Sequence, residues 1–340
     1  MIIKKNIGLH RLIKITFRHT ISLIILMGLI AFLYHKKIIN FSIPWLPVSV
    51  IGTAVSFYIG FKNNQSYDRM WEARKIWGGI VNESRTWGMM IDGFISNLNT
   101  KSRLPSKEIH SIKRRLIYRH IAWLYAHRKQ LLIPTQWERT DKKGITATIA
   151  KRYQNKDGLE NIDFEFTTKL LEDKEYDRLI KKANSATQII NEQSRDLSQL
   201  REQDLIDDFR HMELSNILSK FYTLQGKNER IKKFPLPRQY SNMSKYFVYI
   251  FIFLLPFSMM PELLKLNEWG IWLSVPIVVL ISWVFLMMEL VGDYSENPFQ
   301  GMVNDIPMLS LCRTIEIDLR EILNETELPP NIEAEKGVLI

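Results

Sequence analysis

The sequence predicts an all-α protein that crosses a membrane four times and carries a large polar helical region between the second and third crossings. Three observations lead to this class: apolar segments near both ends of the chain, a very polar middle, and apolar residues at helical spacing within that middle. This organisation is typical of a membrane protein with a cytosolic body.

The four predicted spans cover residues of about 20–37, 43–61, 245–264 and 268–289. The first has an uncharged core of only 14 residues, so a buried core helix is the alternative for it. Pro44 and Pro47 suit the start of the second helix, and Pro256 predicts a kink in the third. The fourth, with 20 uncharged residues, is the clearest span.

Basic residues beside the apolar segments predict the orientation. The chain has 46 Lys and Arg against 36 Asp and Glu. Basic residues precede the first and third spans, namely Lys4, Lys5, Arg11, Lys14, Arg18, Arg230, Lys232, Lys233, Arg238 and Lys245. By the positive-inside rule, both termini are expected in the cytoplasm of a multi-pass protein of the cell's inner membrane. A lipid bilayer, not nucleic acid, is then the partner that explains the net charge of +10.

The polar region also has a helical pattern. No proline occurs between Val48 and Leu104, so the second span is expected to continue as a helix into the cytosolic body, at about 62–242 and 290–323. Residues 132–165 are rich in turn-forming types and predict a surface excursion. One domain over 1–323 and a disordered tail over 324–340 complete the prediction.

Enzymatic chemistry is not expected. Cys312 is the single cysteine, and the seven histidines are scattered, so we expect no metal site and no cofactor. His110, His120 and His127 are expected to be solvated or at interfaces. The charged set Asp68, Arg69, Glu72 and Arg74 favours ion pairs over a catalytic carboxylate pair, since no histidine or phosphate-binding loop accompanies it.

Two neighbouring stripes distinguish the second span. Gly52, Ser56 and Gly60 form a stripe of small residues that predicts close helix packing. Thr53, Phe57 and Phe61 form the next stripe, which would suit an apolar constriction around a pore. Spacing alone leaves two alternatives open, in which these aromatic rings face lipid or fill the core of a helical bundle.

Residues 56–85 read SFYIGFKNNQSYDRMWEARKIWGGIVNESR and resemble the bestrophin-like family, whose bacterial members carry a pattern close to GFR-x-N-x-x-YDRWWEARK-x-WG. Lys62 stands in place of the pattern's Arg and Met70 in place of its first Trp. Further blocks resemble the family in order: RHIAWLYAHRKQL at 119–131, ERIKKFPLPRQY at 229–240, LLPF at 254–257, ELVGDYSENPFQGMVNDIP at 289–307 and LCRTIEIDL at 311–319.

The resemblance implies a homopentamer with one axial pore, and hence a passive channel for monovalent ions. It places the neck at Thr53, Phe57 and Phe61. It places a lower restriction near 231–236, where the candidates are Ile231, Phe234 and Leu236, with Phe234 or Leu236 preferred. Charges of the vestibule wall would come from Lys62, Asp68, Arg69 and Glu72. Anion or cation selectivity stays open because the family contains both, and a membrane-anchored signalling or scaffold protein is the alternative function.

Two further expectations concern acidic residues after the fourth span. Eukaryotic relatives form a calcium clasp in the segment that here contains Asp293, Glu296, Asn297, Asn304 and Asp305. Because 301–303 read GMV where carboxylates would be needed, we expect no calcium site. Glu289 is expected at the membrane interface with a basic partner, such as one of the early lysines or arginines.

Overall fold

The computed structural model describes residues 1–3, 9–100, 103–138, 170–334 and 337–339. In this part of the chain every regular element is an α-helix, apart from an isolated antiparallel bridge between Ile2 and Val338. The helices are α1 (Leu9–His35), α2 (Trp45–Phe94), α3 (Ser106–Leu132), α4 (Asp173–Ile180), α5 (Ser185–Glu202), α6 (Asp208–Lys233), α7 (Arg238–Leu264), α8 (Gly270–Ser295) and α9 (Met308–Ile322).

Four helices among the described residues are long and apolar enough to cross a membrane. They are Thr16–His35 within α1, Trp45–Phe94, Arg238–Leu264 and Gly270–Ser295. Each predicted span falls on one of them. α7 begins earlier and α8 ends later than the predicted spans, because polar residues at their ends continue the helix.

The second span belongs to one uninterrupted helix of 50 residues, as predicted. Pro47 lies in its first turn, where a missing backbone N–H breaks no helical hydrogen bond. Beyond the apolar part, the buried positions Ala73, Ile76 and Ile80 continue at intervals of three or four residues. One face of α2 is therefore buried along its length.

Contacts divide the stretch that the sequence assigns to one domain into two compact units. The membrane unit comprises Lys4–Met70 and Pro235–Asn297, and the polar unit comprises Met1–Ile3, Trp71–Phe234 and Pro298–Ile340. α1, α7, α8 and the first part of α2 form the membrane unit. Its core contains, among others, Met27, Val48, Ile59, Leu255, Met260 and Val278.

Aromatic residues and histidines lie in the core of the polar unit together with many aliphatic residues. Trp123 of α3 stacks on His127 at a ring-centroid distance of 5.7 Å and on His120 at 5.1 Å. Phe221 of α6 lies 4.4 Å from His120. The expectation that His120 and His127 are solvated is wrong, because α3 is enclosed by neighbouring helices and both rings are buried. His110 is exposed, as expected.

The described part of the segment after residue 323, for which the sequence predicts disorder, makes specific contacts within the polar unit. Glu325 accepts hydrogen bonds from Arg320 at 2.7 Å and from the Tyr118 hydroxyl at 2.8 Å. Arg313 donates to the carbonyl of Pro330 at 2.8 Å. Most of the predicted surface excursion at 132–165, from residue 139 onward, lies outside the described residues.

Candidate functional site on helix α2

The three side chains assigned to a pore neck share one exposed face of α2. Thr53 is exposed, and the exposed fractions of Phe57 and Phe61 are 66% and 71%. Val55 and Ile59, on the other side of the helix, are buried in the core of the membrane unit. Because residues four apart lie on the same side of a helix, the exposed face is continuous. These aromatic rings therefore do not fill the core of their own chain.

The stripe of small residues beside this face packs at one end only. A Cβ at Gly52 would lie 2.7 Å from the ring of Phe251 in α7, so this glycine allows a close approach. Ser56 donates a hydrogen bond of 2.9 Å to the carbonyl of Gly52 within the helix. Gly60 is exposed and has no neighbour within 4 Å of its Cβ position in the described chain. The predicted packing is thus confirmed at Gly52 and not at Gly60.

Lys62, a candidate for a vestibule charge, is buried with only 4% of its surface exposed. Its ammonium donates to the carboxylate of Glu289 and, at 2.5 Å, to that of Asp293, both in α8. Glu289 also accepts a hydrogen bond of 2.5 Å from the hydroxyl of Ser244 in α7. Glu289 therefore has a basic partner, as expected, but this partner is Lys62 and not one of the early lysines or arginines that the sequence suggested. An ammonium enclosed by two carboxylates of its own chain adds little positive charge to an exposed wall.

A second polar contact joins α2 to α8 beside the lysine. The Asn63 amide donates to the carbonyl of Met288 at 3.1 Å. A Cβ at position 292 would overlap the Asn63 side-chain oxygen, so the absence of a side chain there leaves room for the amide of Asn63 against α8. The polar ends of α2, α7 and α8 are thus joined by directional contacts within the membrane unit.

The other three candidates for vestibule charges have different environments. Asp68 is exposed, with the Asn64 amide 3.5 Å from its carboxylate. Arg69 donates to the carbonyl of Glu296 at 3.1 Å within the membrane unit. Glu72 forms an ion pair of 2.6 Å with Arg230 in the polar unit, and both side chains are substantially exposed. Of these three contacts only that of Glu72 is an ion pair, and its partner lies on α6 and not on α2.

The three candidates for a lower restriction also differ in exposure. Phe234, the C-cap residue directly after α6, is 68% exposed. Ile231 in the polar unit and Leu236 in the membrane unit are both buried. A side chain that lines a pore must be accessible in the single chain, which favours Phe234 over the other two.

The acidic residues after the fourth span each have a hydrogen-bond donor or a basic partner. Asp293 accepts from Lys62, and a nitrogen of Arg238 lies 3.6 Å from Glu296. Asp305 accepts from the backbone N–H groups of Gln300 at 2.7 Å and Met302 at 3.0 Å. Burial raises the pKa of Asp305 to about 7, although these hydrogen bonds act in the opposite direction.

The remaining two oxygen-bearing candidates for a clasp are Asn297, whose side chain is buried, and Asn304, which is exposed. No group of three or more His, Cys, Asp or Glu side chains that could hold a metal occurs among the described residues.

Sequence reasoning missed the network around Lys62 as a unit, although part of its signal was present. Glu289 and Asp293 are four residues apart and so lie on one face of α8, at the polar end of the fourth span. Lys62 is the first charged residue after the apolar part of the second span. If both ends lie on the cytoplasmic side, these charges are at similar depth. Ser244, Asn63 and Gly292 carried no comparable signal.

The fold and this site define a helical membrane protein with a multi-span unit and a second, polar helical unit. The family profile described as "Bacterial/Fungal Bestrophin protein" matches residues 11–321, and the chain therefore belongs to this bestrophin family.

Several known proteins resemble the chain over most of its length. The voltage-dependent anion channel-forming protein YneE of Escherichia coli K12 is 25% identical over 315 residues, which covers 89% of this chain and 88% of YneE. The protein mll4386 of Mesorhizobium japonicum, with the same descriptive name, is 27% identical over 291 residues, or 85% of this chain and 78% of the relative. The crystal structure of a bacterial bestrophin homologue from Klebsiella pneumoniae superposes with a TM-score of 0.72 at 23% identity, covering 92% of this chain and 100% of that one.

Proposed function

We propose that the chain is one subunit of a homopentameric ion channel of the inner membrane that passes monovalent ions through an axial pore. The observation that carries the proposal is the exposed face of Thr53, Phe57 and Phe61 on a membrane-spanning helix. Fivefold rings of such side chains would form a hydrophobic neck that gates by dewetting. The names of the Escherichia coli and Mesorhizobium japonicum relatives, which describe anion channel-forming proteins, support this class and favour anions.

In this proposal Phe234 forms the lower restriction. Asp68 and the ion pair of Glu72 with Arg230 bring charges of both signs to the vestibule wall, so the preference for anions rests on the relatives and not on these residues. An apolar neck offers neither a carbonyl cage nor a charged ring, so the barrier is mainly dehydration and width. Monovalent ions of one sign should therefore permeate similarly. The sign itself would be selected by fields along the wall.

Both termini of the proposed channel lie in the cytoplasm. An even number of spans and the basic residues that precede the first and third spans support this orientation. A small epitope tag fused to either terminus should be protected from protease in intact cells and cleaved after permeabilisation. Cleavage of either tag in intact cells would contradict the orientation.

The direct test is electrical recording from the purified protein in planar bilayers under KCl gradients. Reversal potentials measure anion against cation permeability, and Phe57→Ala should raise ion flux because it widens the neck. Phe253→Ala is the matched control, since Phe253 is an exposed phenylalanine on another spanning helix, α7. Equal flux of wild type and an assembled Phe57→Ala variant would contradict the neck.

The oligomeric state tests the same proposal independently. Light scattering of the detergent-solubilised protein, corrected for bound detergent, should give about five times the mass of one chain. A monomer or dimer would leave an axial neck without a basis. That result would favour a membrane-anchored signalling or scaffold protein that acts through the helices of the polar unit.

A further inference from the structure

Adjacent residues of α2 differ sharply in their exposure. Phe61 is 71% exposed, whereas Lys62 is 4% exposed. Successive residues of an α-helix are separated by about 100° around its axis, because one turn holds 3.6 residues. The rotation of α2 about its own axis therefore decides whether Phe57 and Phe61 or their neighbours face outward.

Apolar packing is a weak determinant of this rotation inside a bilayer. Lipid tails solvate Val55 and Ile59 about as well as the interior of the membrane unit does, so the hydrophobic effect hardly distinguishes the two orientations. Phe57 and Phe61 are themselves apolar and would also be accepted by a helical core. The close approach of Gly52 to Phe251 of α7 and the directional polar contacts make the distinction.

Lys62 supplies the strongest of these contacts. Its ammonium binds two carboxylates of α8, those of Glu289 and Asp293, and Glu289 is held in turn by the hydroxyl of Ser244 in α7. Rotating α2 would withdraw the ammonium from the buried carboxylate of Glu289 and from the partly buried carboxylate of Asp293. Breaking a buried ion pair in this way is strongly unfavourable. The hydrogen bond from Asn63 to the carbonyl of Met288 supports the same orientation.

We infer that Lys62 is a positioning residue that, through Glu289 and Asp293 of α8, sets the rotation of α2 and thereby the face that Phe57 and Phe61 present. The consequence for conduction rests on the proposed channel function. The rotation itself does not, because the contacts lie within one chain.

Thiol reactivity measures this rotation. Cys312 is the only cysteine and is buried, so Cys312→Ala provides a cysteine-free background. In that background Phe57→Cys places the single thiol on the exposed face of α2, and Ile59→Cys places it on the buried face. The readout is the ratio of their modification rates by N-ethylmaleimide, a small neutral reagent, in detergent. With Lys62 present, the outward thiol should react several-fold faster.

Lys62→Met should move this ratio towards unity, while Lys62→Arg should keep it. If Lys62→Met does not assemble, the triple change Lys62→Met, Glu289→Gln and Asp293→Asn decides, because it removes the ion pairs without leaving an unpaired charge. Exchange of the charges by Lys62→Glu with Glu289→Lys should restore the ratio, which loss of folding alone would not predict. Lys75→Met, at an exposed lysine of the same helix, is the matched control.

The inference is overturned if assembled Lys62→Met, or the triple variant, gives the same ratio of modification rates as the protein that retains Lys62. Ion flux measured on the same preparations separates it from the proposed function. A shifted ratio in a protein whose wild type passes no ions would retain the positioning role and reject the channel. A native ratio with altered flux in Lys62→Met would reject the positioning role and retain the channel.

Discussion

In the membrane unit, the buried ammonium of Lys62 lies between two carboxylates, whereas the polar unit buries two imidazoles whose side-chain hydrogen-bond partners are neutral. His120 is 2.9 Å from the hydroxyl of Ser84, and His127 is 3.1 Å from the amide of Asn228. Lysine, with an ordinary pKa of about 10.4, is costly to neutralise, so its burial calls for counter-ions. Histidine, with an ordinary pKa of about 6.5, is buried in its neutral form.

The difference predicts which perturbation weakens each unit. The membrane unit depends on keeping opposite charges together, so removal of a partner should be severe at any ordinary pH. The polar unit depends on keeping its histidines uncharged, so acid should weaken it without any substitution.

Glu289→Ala should have the largest effect. It leaves Lys62 with one carboxylate and removes the acceptor of Ser244, and breaking a buried pair typically costs about 3–5 kcal/mol. The measurement is the free energy of unfolding in detergent. Glu262→Ala is the control, because the Glu262–Lys265 pair of α7 is exposed and such pairs contribute about 0–1 kcal/mol. Equal losses for the two variants would show that burial of the pair is not important.

Acidification should weaken the polar unit. Burial lowers the pKa of His120 to about 3 and that of His127 to about 4. Between these values and about 6.5 the unfolded chain binds protons that the folded chain does not, so stability falls as pH falls through this range. Each histidine contributes about 1.4 kcal/mol per pH unit. Asp305 acts oppositely, since its pKa is raised to about 7 and the folded chain binds the extra proton.

The contribution of one histidine is obtained by difference. His120→Gln should reduce the acid-induced loss of stability by about 1.4 kcal/mol per pH unit between about pH 6 and 4, relative to wild type. The measurement is a series of denaturant midpoints followed by tryptophan fluorescence. His110→Gln is the control, because His110 is exposed. An unchanged pH slope in His120→Gln would mean that this ring is protonated, or accessible to water, in the folded protein.

Different kinds of information explain which parts of the fold were predictable. The spans and the long α2 followed from hydropathy and from the absence of proline, which act locally along the chain. The burial of His120 did not follow, because it depends on the helices that enclose α3 from several sides. The direction in which the Lys62 side chain points depends on Glu289, which lies 227 residues later in the chain. Spacing predicted the Phe57 stripe, but only the structure gives its exposure.

Gly292→Ala should have an intermediate effect on the membrane unit. A methyl group there would overlap the Asn63 side-chain oxygen, so the amide must move and its bond to the Met288 carbonyl weakens. Overpacking of this kind typically costs about 1–3 kcal/mol. Gly28→Ala in α1 is the control, since a Cβ there meets no described atom within 4 Å. Unfolding in detergent measures both, and a loss that is no larger at position 292 would contradict the close approach.

Calcium should have the smallest effect. In the membrane unit, the carboxylate of Asp293 is bound to Lys62, and an arginine lies 3.6 Å from that of Glu296. In the polar unit, Asp305 accepts two backbone N–H groups. A calcium ion takes six to eight oxygen ligands, so it would have to displace these donors before these carboxylates could coordinate it.

Conductance in planar bilayers should therefore be the same in calcium chelator and in micromolar calcium. The Asp305→Asn variant should behave like wild type in both solutions. Steep activation of wild type by calcium would contradict the prediction. If Asp305→Asn then lost this activation, the Asp305 carboxylate would be identified as a calcium ligand. If the variant kept the activation, Asp293 and Glu296 would be the next candidates.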